Sequence, residues 1–454
     1  MHPITHGAAC ALALLAAGPA LAQDQSAGSA EDAATTLGIL PAAPARRPFQ
    51  PFEKDGVTLL LNYTGEAAAN PSGGVRQGAA YTGQVFLGAD LDMARIAGVA
   101  GGTVHLAVTN RHGQNLAATR IGTSTSVQEV FGTQNTHLAI LTWQQKLAGG
   151  RLEIEAGKTV ANIAFLNSPI YCHFQSNSAC GNPTFVFKTS NFTYFPASSW
   201  GAHATAHLTD KLYLHVGAYE VNPRRKRAND SGFTASFKGT TGVIVPFELG
   251  YGTDFANDRL PRHYQAGGWI DRGDYADPLV DAAGAIALLS GQPALTRHGR
   301  AGGFVRFDQM VWRPDDHSQR GLTLFGVAMK NLSGRVIETR FLELGLLQTG
   351  TFRGRDRDTI GFMVNDQRFS DLALRGLRAA RASVGARTDD LPRHQYMMEL
   401  AYGAQIAPAL RISPNVQYIV NPDQLGDPFR RRNARDALVL GFKFTVDAPT
   451  LLAH

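Results

Sequence analysis

Residues Arg151–Lys158 read RLEIEAGK, and a single period of two runs through them: Leu152, Ile154 and Ala156 take one side, Arg151, Glu153 and Glu155 the other. Successive side chains of an extended strand point to opposite faces, whereas a helix would return its apolar residues every three or four positions. The same period appears on both sides of this segment. Val57, Leu59, Leu61 and Tyr63 alternate with Thr58, Asn62 and Thr64, interrupted only by Leu60. Between Lys211 and Tyr219, Leu212, Leu214, Val216 and Ala218 oppose Tyr213, His215 and Tyr219. From Arg411 to Val420, Ile412, Pro414, Val416, Tyr418 and Val420 oppose Arg411, Ser413, Asn415 and Gln417. The last clear strand sets Leu438, Leu440, Phe442, Phe444 and Val446 against Val439, Gly441, Lys443 and Thr445.

Candidate strands fall near 57–65, 81–92, 102–111, 137–147, 151–160, 200–208, 211–221 and 243–252. Eight more fall near 262–271, 302–313, 320–330, 337–349, 358–365, 393–406, 409–420 and 436–447, which makes about sixteen. Each is about 9–13 residues long, the span at which a tilted strand crosses a bilayer. Brief turns such as Ala148-Gly149-Gly150, Leu208-Thr209-Asp210 and Ile406-Ala407-Pro408 alternate with long connections near 112–136, 162–199, 222–242, 272–300, 366–391 and 421–435. A soluble sandwich also has alternating strands, but short turns on one side and long loops on the other are the arrangement of an outer-membrane barrel. In hydrocarbon every backbone N–H and C=O needs a partner, and a closed antiparallel barrel supplies them without leaving an edge. The expected fold is therefore all-β: a transmembrane antiparallel β-barrel of about sixteen strands with long extracellular loops.

Composition agrees. Of 454 residues only 18% are charged and 48 are glycine, and after residue 22 there is no apolar run long enough for a membrane helix. Residues 1–22 carry an apolar core and end in Ala20-Leu21-Ala22, which reads as a signal peptide and implies export, although they lack Lys and Arg. Residues 23–55, rich in Ala, Pro and Ser, read as a leader to the fold, and 56–454 as the barrel. The net charge of +6 gathers in Arg224-Arg225-Lys226-Arg227, Arg353–Arg357 and Arg430-Arg431-Arg432 with Arg435. These clusters lie in Gly-, Pro-, Asn- and Asp-rich connections without a recognition motif. They fit solvated loops or contact with outer-membrane lipid and lipopolysaccharide, not nucleic acid.

A barrel of this strand number encloses an aqueous channel, so loops must narrow it for selection. The segment Asn167–Trp200, within the connection near 162–199, is expected to fold inward as that constriction. It holds Tyr171, Phe174, Gln175, Asn177, Asn182, Phe185, Phe187, Tyr194 and Trp200, a mixture suited to stacking on and hydrogen-bonding a neutral polar ligand. Cys10 leaves with the signal, so Cys172 and Cys180 are the cysteines expected to pair. A disulfide there would close a short loop and contribute about 2.6 kcal/mol through the unfolded state. The one stretch with helical spacing is Ser370–Arg387, where Leu372, Leu374, Leu377 and Ala380 follow a possible cap at Ser370 or Asp371.

Catalytic chemistry finds little support. Ser198 and Ser199 lie near His203 and His207, but Ala202, Ala204 and Ala206 alternate with His203, Thr205 and His207, which places the histidines on a lumen face. The fourteen histidines show no HExxH spacing and no paired C-x-x-C motif accompanies them, so no metal and no other cofactor is expected.

Several blocks, in order, resemble the carbohydrate-selective outer-membrane porins of the glucose-porin type. They are Tyr63-Thr64-Gly65-Glu66 with Asn70 and Gly73-Gly74, Tyr171-Cys172 to Cys180-Gly181, and Pro196-Ala197-Ser198-Ser199-Trp200-Gly201. Further on stand Gly273-Asp274-Tyr275-Ala276-Asp277, Gln309-Met310-Val311-Trp312-Arg313-Pro314 and Pro414-Asn415-Val416-Gln417-Tyr418-Ile419 with Asn421-Pro422. The resemblance covers about Gly56 to Val446. It implies a sixteen-stranded barrel in the outer membrane, constricted by loops, that passes sugars without catalysis. Many outer-membrane barrels end in an aromatic residue, whereas this chain runs on through Pro449-Thr450-Leu451-Leu452-Ala453-His454, leaving Phe442 and Phe444 as the terminal aromatics. The expected function is passive diffusion of monosaccharides such as glucose, by a homotrimer or a monomer. A general or anion-selective porin and a barrel-borne hydrolase are the alternatives. A sugar ring offers hydroxyl edges and C–H faces. The candidate contacts are Glu153, Glu155, Lys158, Gln175, Asn177, Arg306 and Gln417, with Tyr171, Phe174 and Trp200 as platforms.

Overall fold

A computed structural model describes residues 52–168, 170–178 and 183–448. The expected signal peptide, nearly all of the leader, Cys180 and the side chain of Cys172 lie outside the described residues. The short β1 (Phe52–Lys54) pairs with the start of β2 (Val57–Gly74). Then come β3 (Gly78–Asp92), β4 (Gly102–Gly113), β5 (Thr136–Leu147), β6 (Leu152–Thr159) and β7 (Ser199–His207). They are followed by β8 (Leu212–Val221), β9 (Gly242–Gly252), β10 (Arg262–Asp281), β11 (Ala294–Trp312) and β12 (Gly321–Ser333). β13 (Glu338–Thr349), β14 (Thr359–Phe369), β15 (His394–Ala407), β16 (Leu410–Val420) and β17 (Arg435–Asp447) complete the series.

Each strand from β2 onward pairs antiparallel with the next, and β17 returns to β2 with Phe444 opposite Gly65, so sixteen strands close a barrel and β1 is an addition to it. Closure satisfies the ladder on both sides of every strand and leaves no edge for lipid to meet. What decides between this barrel and a soluble sandwich is the sense of the alternation. Ile154 is 39% exposed and its neighbour Glu155 is 1% exposed. The same inversion runs round the wall: Leu87, Leu106, Leu249, Leu344, Leu400 and Leu440 face out, while Gln84, His105, Glu248, Glu343, Glu399 and Lys443 are buried. Apolar side chains outside and polar ones inside suit a wall whose outer solvent is hydrocarbon.

Connections on the end where β2 begins are mostly short, such as 148–151, 208–211 and 408–409; the other end carries 114–135, 160–198, 222–241, 370–393 and 421–434. Segment 272–300, expected as a loop, is mostly a hairpin. β10 and β11 stay paired past Asp271–Arg300 out to Asp281–Ala294, with irregularities on the way. Beyond the bilayer a strand pair no longer needs an apolar outer face, so the period that marks the wall fades while the ladder continues. The expected helix is present as α2 (Asp371–Ser383), preceded in the chain by the short α1 (Thr184–Thr189). The Ser370 hydroxyl accepts the Ala373 N–H at 3.1 Å and caps α2. Leu374, Leu377 and Ala380 are buried, and Gly376 faces Leu279 and Leu288 of the hairpin region.

Candidate functional site: the channel constriction

Two loops, not one, fold into the lumen, and they run round the wall in opposite directions. Residues 114–135 leave β4 and cross the inner faces of β2, β17, β16 and β15 as far as β14. Their apolar residues Leu116, Ile121 and Val127 pack with Ala68, Met397, Ile419 and Val439. Their polar groups find partners on the wall: the Gln128 amide donates to the Glu66 carbonyl at 2.9 Å, and the Val130 N–H to the Glu66 carboxylate at 3.0 Å. The Thr125 hydroxyl donates to Gln367 at 2.9 Å, and the Gln417 amide to the Val127 carbonyl at 3.1 Å. Residues 160–198 go the other way. Phe165, Phe185, Val186 and Phe192 pack on Tyr219, Ile244, Trp269, Phe304 and Phe341, and further along Tyr171 and Phe174 pack on Phe325, Leu347 and Met363. The two tips are joined by backbone hydrogen bonds, Glu129 N–H to Gln175 O at 3.0 Å and Asn177 N–H to Ser126 O at 3.1 Å.

Buried ionic groups fix both loops. Near its start, the second loop lays Phe165 flat on His215, with ring centres 3.9 Å apart and planes at 12°. His215 lies in a chain of inner-face groups: Glu155 to His203 at 3.4 Å, His203 to His215 at 3.0 Å, and His215 to Glu248 at 3.5 Å. Further along, Lys188 of α1 donates to Glu338 on β13 at 2.6 Å and to Thr125 of the first loop at 2.9 Å, so one ammonium ties both loops to the wall.

The sequence-derived residues divide into four groups. Glu153, Glu155 and Arg306 stand on the inner wall as expected, and Asn177 is half-buried at the loop joint. Gln175 and Gln417 are structural clamps: Gln175 donates to the Ala67 carbonyl at 3.2 Å and accepts from Asn415 at 2.8 Å. Tyr171 and Phe174 are not open platforms, because their rings are buried against the wall; the Arg306 guanidinium lies 5.9 Å from the Tyr171 ring centre. Lys158 and Trp200 do not line the channel. They are cross-strand neighbours on the outer face, under residues 222–241, where Trp200 Nε1–H donates to the Ala235 carbonyl at 2.9 Å and its ring stacks on Phe237. Lys158 Nζ reaches the Thr234 carbonyl at 3.4 Å.

The residues missed from sequence lie on β17, β2, β3 and β4. Lys443 sits opposite Glu66 in register, and Arg111 opposite Gln84, whose amide oxygen accepts from Arg111 Nε at 2.5 Å. The Arg111 guanidinium also lies 5.7 Å from the Phe195 ring centre in the second loop. Glu129, from the tip of the first loop, completes the group. Burial pushes its carboxyl above the usual range, and Arg111 and Lys443 oppose that rise. Guanidinium, ammonium, amide and carboxylate groups thus share one sector, the mixture of donors and acceptors that a ring of hydroxyls requires. Polarity at every second residue of Asn62-Thr64-Glu66, and at His105, Thr109 and Arg111 with Ala107 between them, is the signal available for this wall.

A closed sixteen-stranded barrel with an apolar outer belt, a polar lumen and loops folded across it defines an outer-membrane diffusion channel. The chain belongs to the carbohydrate-selective porins: the family model described as "Carbohydrate-selective porin, OprB family" matches residues 76–447. Porin B of Pseudomonas aeruginosa is 29% identical over 436 residues, covering 90% of this chain and 94% of that protein. A protein named "Putative porin QuiX" from Acinetobacter baylyi is 26% identical over 396 residues, covering 82% and 86%. Among solved structures, Pseudomonas putida OprB at high pH superposes with a TM-score of 0.78 at 29% identity, covering 87% of this chain and 94% of that one. The protein is an outer-membrane porin for carbohydrates.

Proposed function

We propose that the channel passes neutral monosaccharides such as glucose by passive, saturable diffusion, with no catalytic step. Arg111, Glu129 and Lys443 form the principal hydroxyl-binding sector, with the fully buried Glu66 opposite Lys443 in register and holding the first loop. The observation that carries this reading is the mixture of signs there: acceptors and donors stand together, which suits an uncharged polyol better than an anion. Flux needs binding that is favourable on entry and weak enough for exit, so the contact is low in affinity. A barrel-borne hydrolase would lose turnover on replacement of Ser199 or His203; the neighbouring Ser198 hydroxyl is spent donating to the Leu138 carbonyl at 2.6 Å.

Liposomes containing the purified protein should swell faster in glucose than in uncharged non-sugars of equal size, with a reversal potential that is not strongly anion-biased. Equal swelling rates would leave a general porin, and a strong anion bias would favour the anion-selective alternative.

We further infer a Cys172–Cys180 disulfide. The eight-residue spacing of the two cysteines and the exported context support the pairing. Unreduced peptide mapping should recover the two cysteine peptides linked; free thiols in the native protein would remove the pairing.

A further inference from the structure

We propose that Glu399, on the inner face of β15, is a positioning residue that sets the aperture by holding the joint between the two inward loops. Its side chain is fully buried, and its two oxygens accept two consecutive backbone donors from the tip of the second loop. Gln175 N–H reaches Oε1 at 2.7 Å, and Ser176 N–H reaches Oε2 at 2.8 Å. The same short stretch carries the links between the loops: Gln175 O accepts from Glu129 N–H, and Asn177 N–H donates to Ser126 O. The Gln175 side chain extends the joint to Ala67 on β2, to Val127 in the first loop and, through Asn415, to β16. The bonds of the joint are therefore made within one residue of a group that Glu399 grips. The other polar anchors near the joint grip the first loop, Lys188 at Thr125, Gln417 at Val127 and Glu66 at Val130, whereas Glu399 grips the tip of the second.

A carboxylate suits this position because it offers acceptors on both oxygens and no donor to face the two N–H groups. Glutamine keeps one carbonyl oxygen and turns an NH₂ toward the second N–H, leaving a buried donor unpaired. The tip then moves off the wall, and the first loop, bonded to it, moves with it. Glu399 acts through the loops and need not touch sugar. The role rests on the porin function, not on which sugar the channel prefers.

The test compares wild type, Glu399→Gln and Ser176→Pro, each full-length in planar bilayers and liposomes. Ser176→Pro removes one of the two donors without altering the wall. Both variants should show about twofold higher single-channel conductance and pass disaccharides faster than wild type does, because the narrowest section governs passage. Half-saturation by glucose should rise more than maximal flux does. Barrel unfolding, followed by heat-dependent gel mobility, should stay at the wild-type temperature. A general structural role predicts the reverse: a lowered unfolding temperature with conductance and size limit unchanged. That result, or wild-type conductance in Ser176→Pro should Glu399→Gln fail to insert, would overturn the assignment. Conductance and size limit remain informative even if wild type fails to distinguish sugars from other solutes.

Discussion

Arg111→Ala is expected to abolish most of the sugar preference and shift the channel toward cations. The guanidinium is buried on β4, held by Gln84 and overlaid by Phe195, and it shares its sector with Glu66 and Glu129. A hydrogen bond to a charged group is worth about 1.5–3 kcal/mol, so losing the main donor should weaken half-saturation by glucose roughly tenfold or more. Removing one positive charge while both carboxylates stay would also move the reversal potential in the cation direction. Arg111→Lys keeps the charge but not the planar fork; it should restore the reversal potential and only part of the sugar affinity. Wild-type values for both quantities in Arg111→Ala would place the contact elsewhere.

Lys188→Met should loosen the constriction as a whole. The ammonium lies 2.6 Å from Glu338, which is fully buried, and also binds Thr125. Removing one member of a buried pair leaves an uncompensated charge and costs about 3–5 kcal/mol. That cost falls on the docking of α1, since the barrel ladder does not depend on it. Noisy, enlarged conductance and faster proteolysis within residues 160–198 are the expected readouts. The double variant Lys188→Met, Glu338→Gln removes both charges and should recover most of the loss. A double variant as loose as the single one would show that the charge pair is not what matters.

How much of this was legible in the sequence follows from what each residue faces. All sixteen wall strands were readable because lipid demands an apolar residue at every second position, and that demand is local. The hairpin beyond Asp271 was not readable, since outside the membrane the demand ends. The charge of Lys158 points to the channel, but it shares parity with Leu152, Ile154 and Ala156; parity places it outside, and the covering loop accommodates its charge. Tyr171 and Phe174 were recognised as aromatic, but composition cannot tell a ring offered to a ligand from a ring packed on the wall. The first inward loop gave no warning. Thr123-Ser124-Thr125-Ser126 looks like any surface loop, and its partners Gln367 and Gln395 lie far along the chain.

The opposed course of the two loops bears on how such channels diversify. Since neither loop surrounds the opening alone, and their tips bond through main-chain atoms whatever their side chains, the joint itself tolerates sequence change on either side. The grips on the wall do not, because each loop matches glutamines and carboxylates on strands remote from its own root. Grafting a single loop from a related channel would carry over half a lock without its keyhole. The heritable unit of selectivity is the pair of loops together with the inner faces that they grip, β2 and β13–β16, and the sector on β17 and β2–β4, and specificity can change hands only when these travel together.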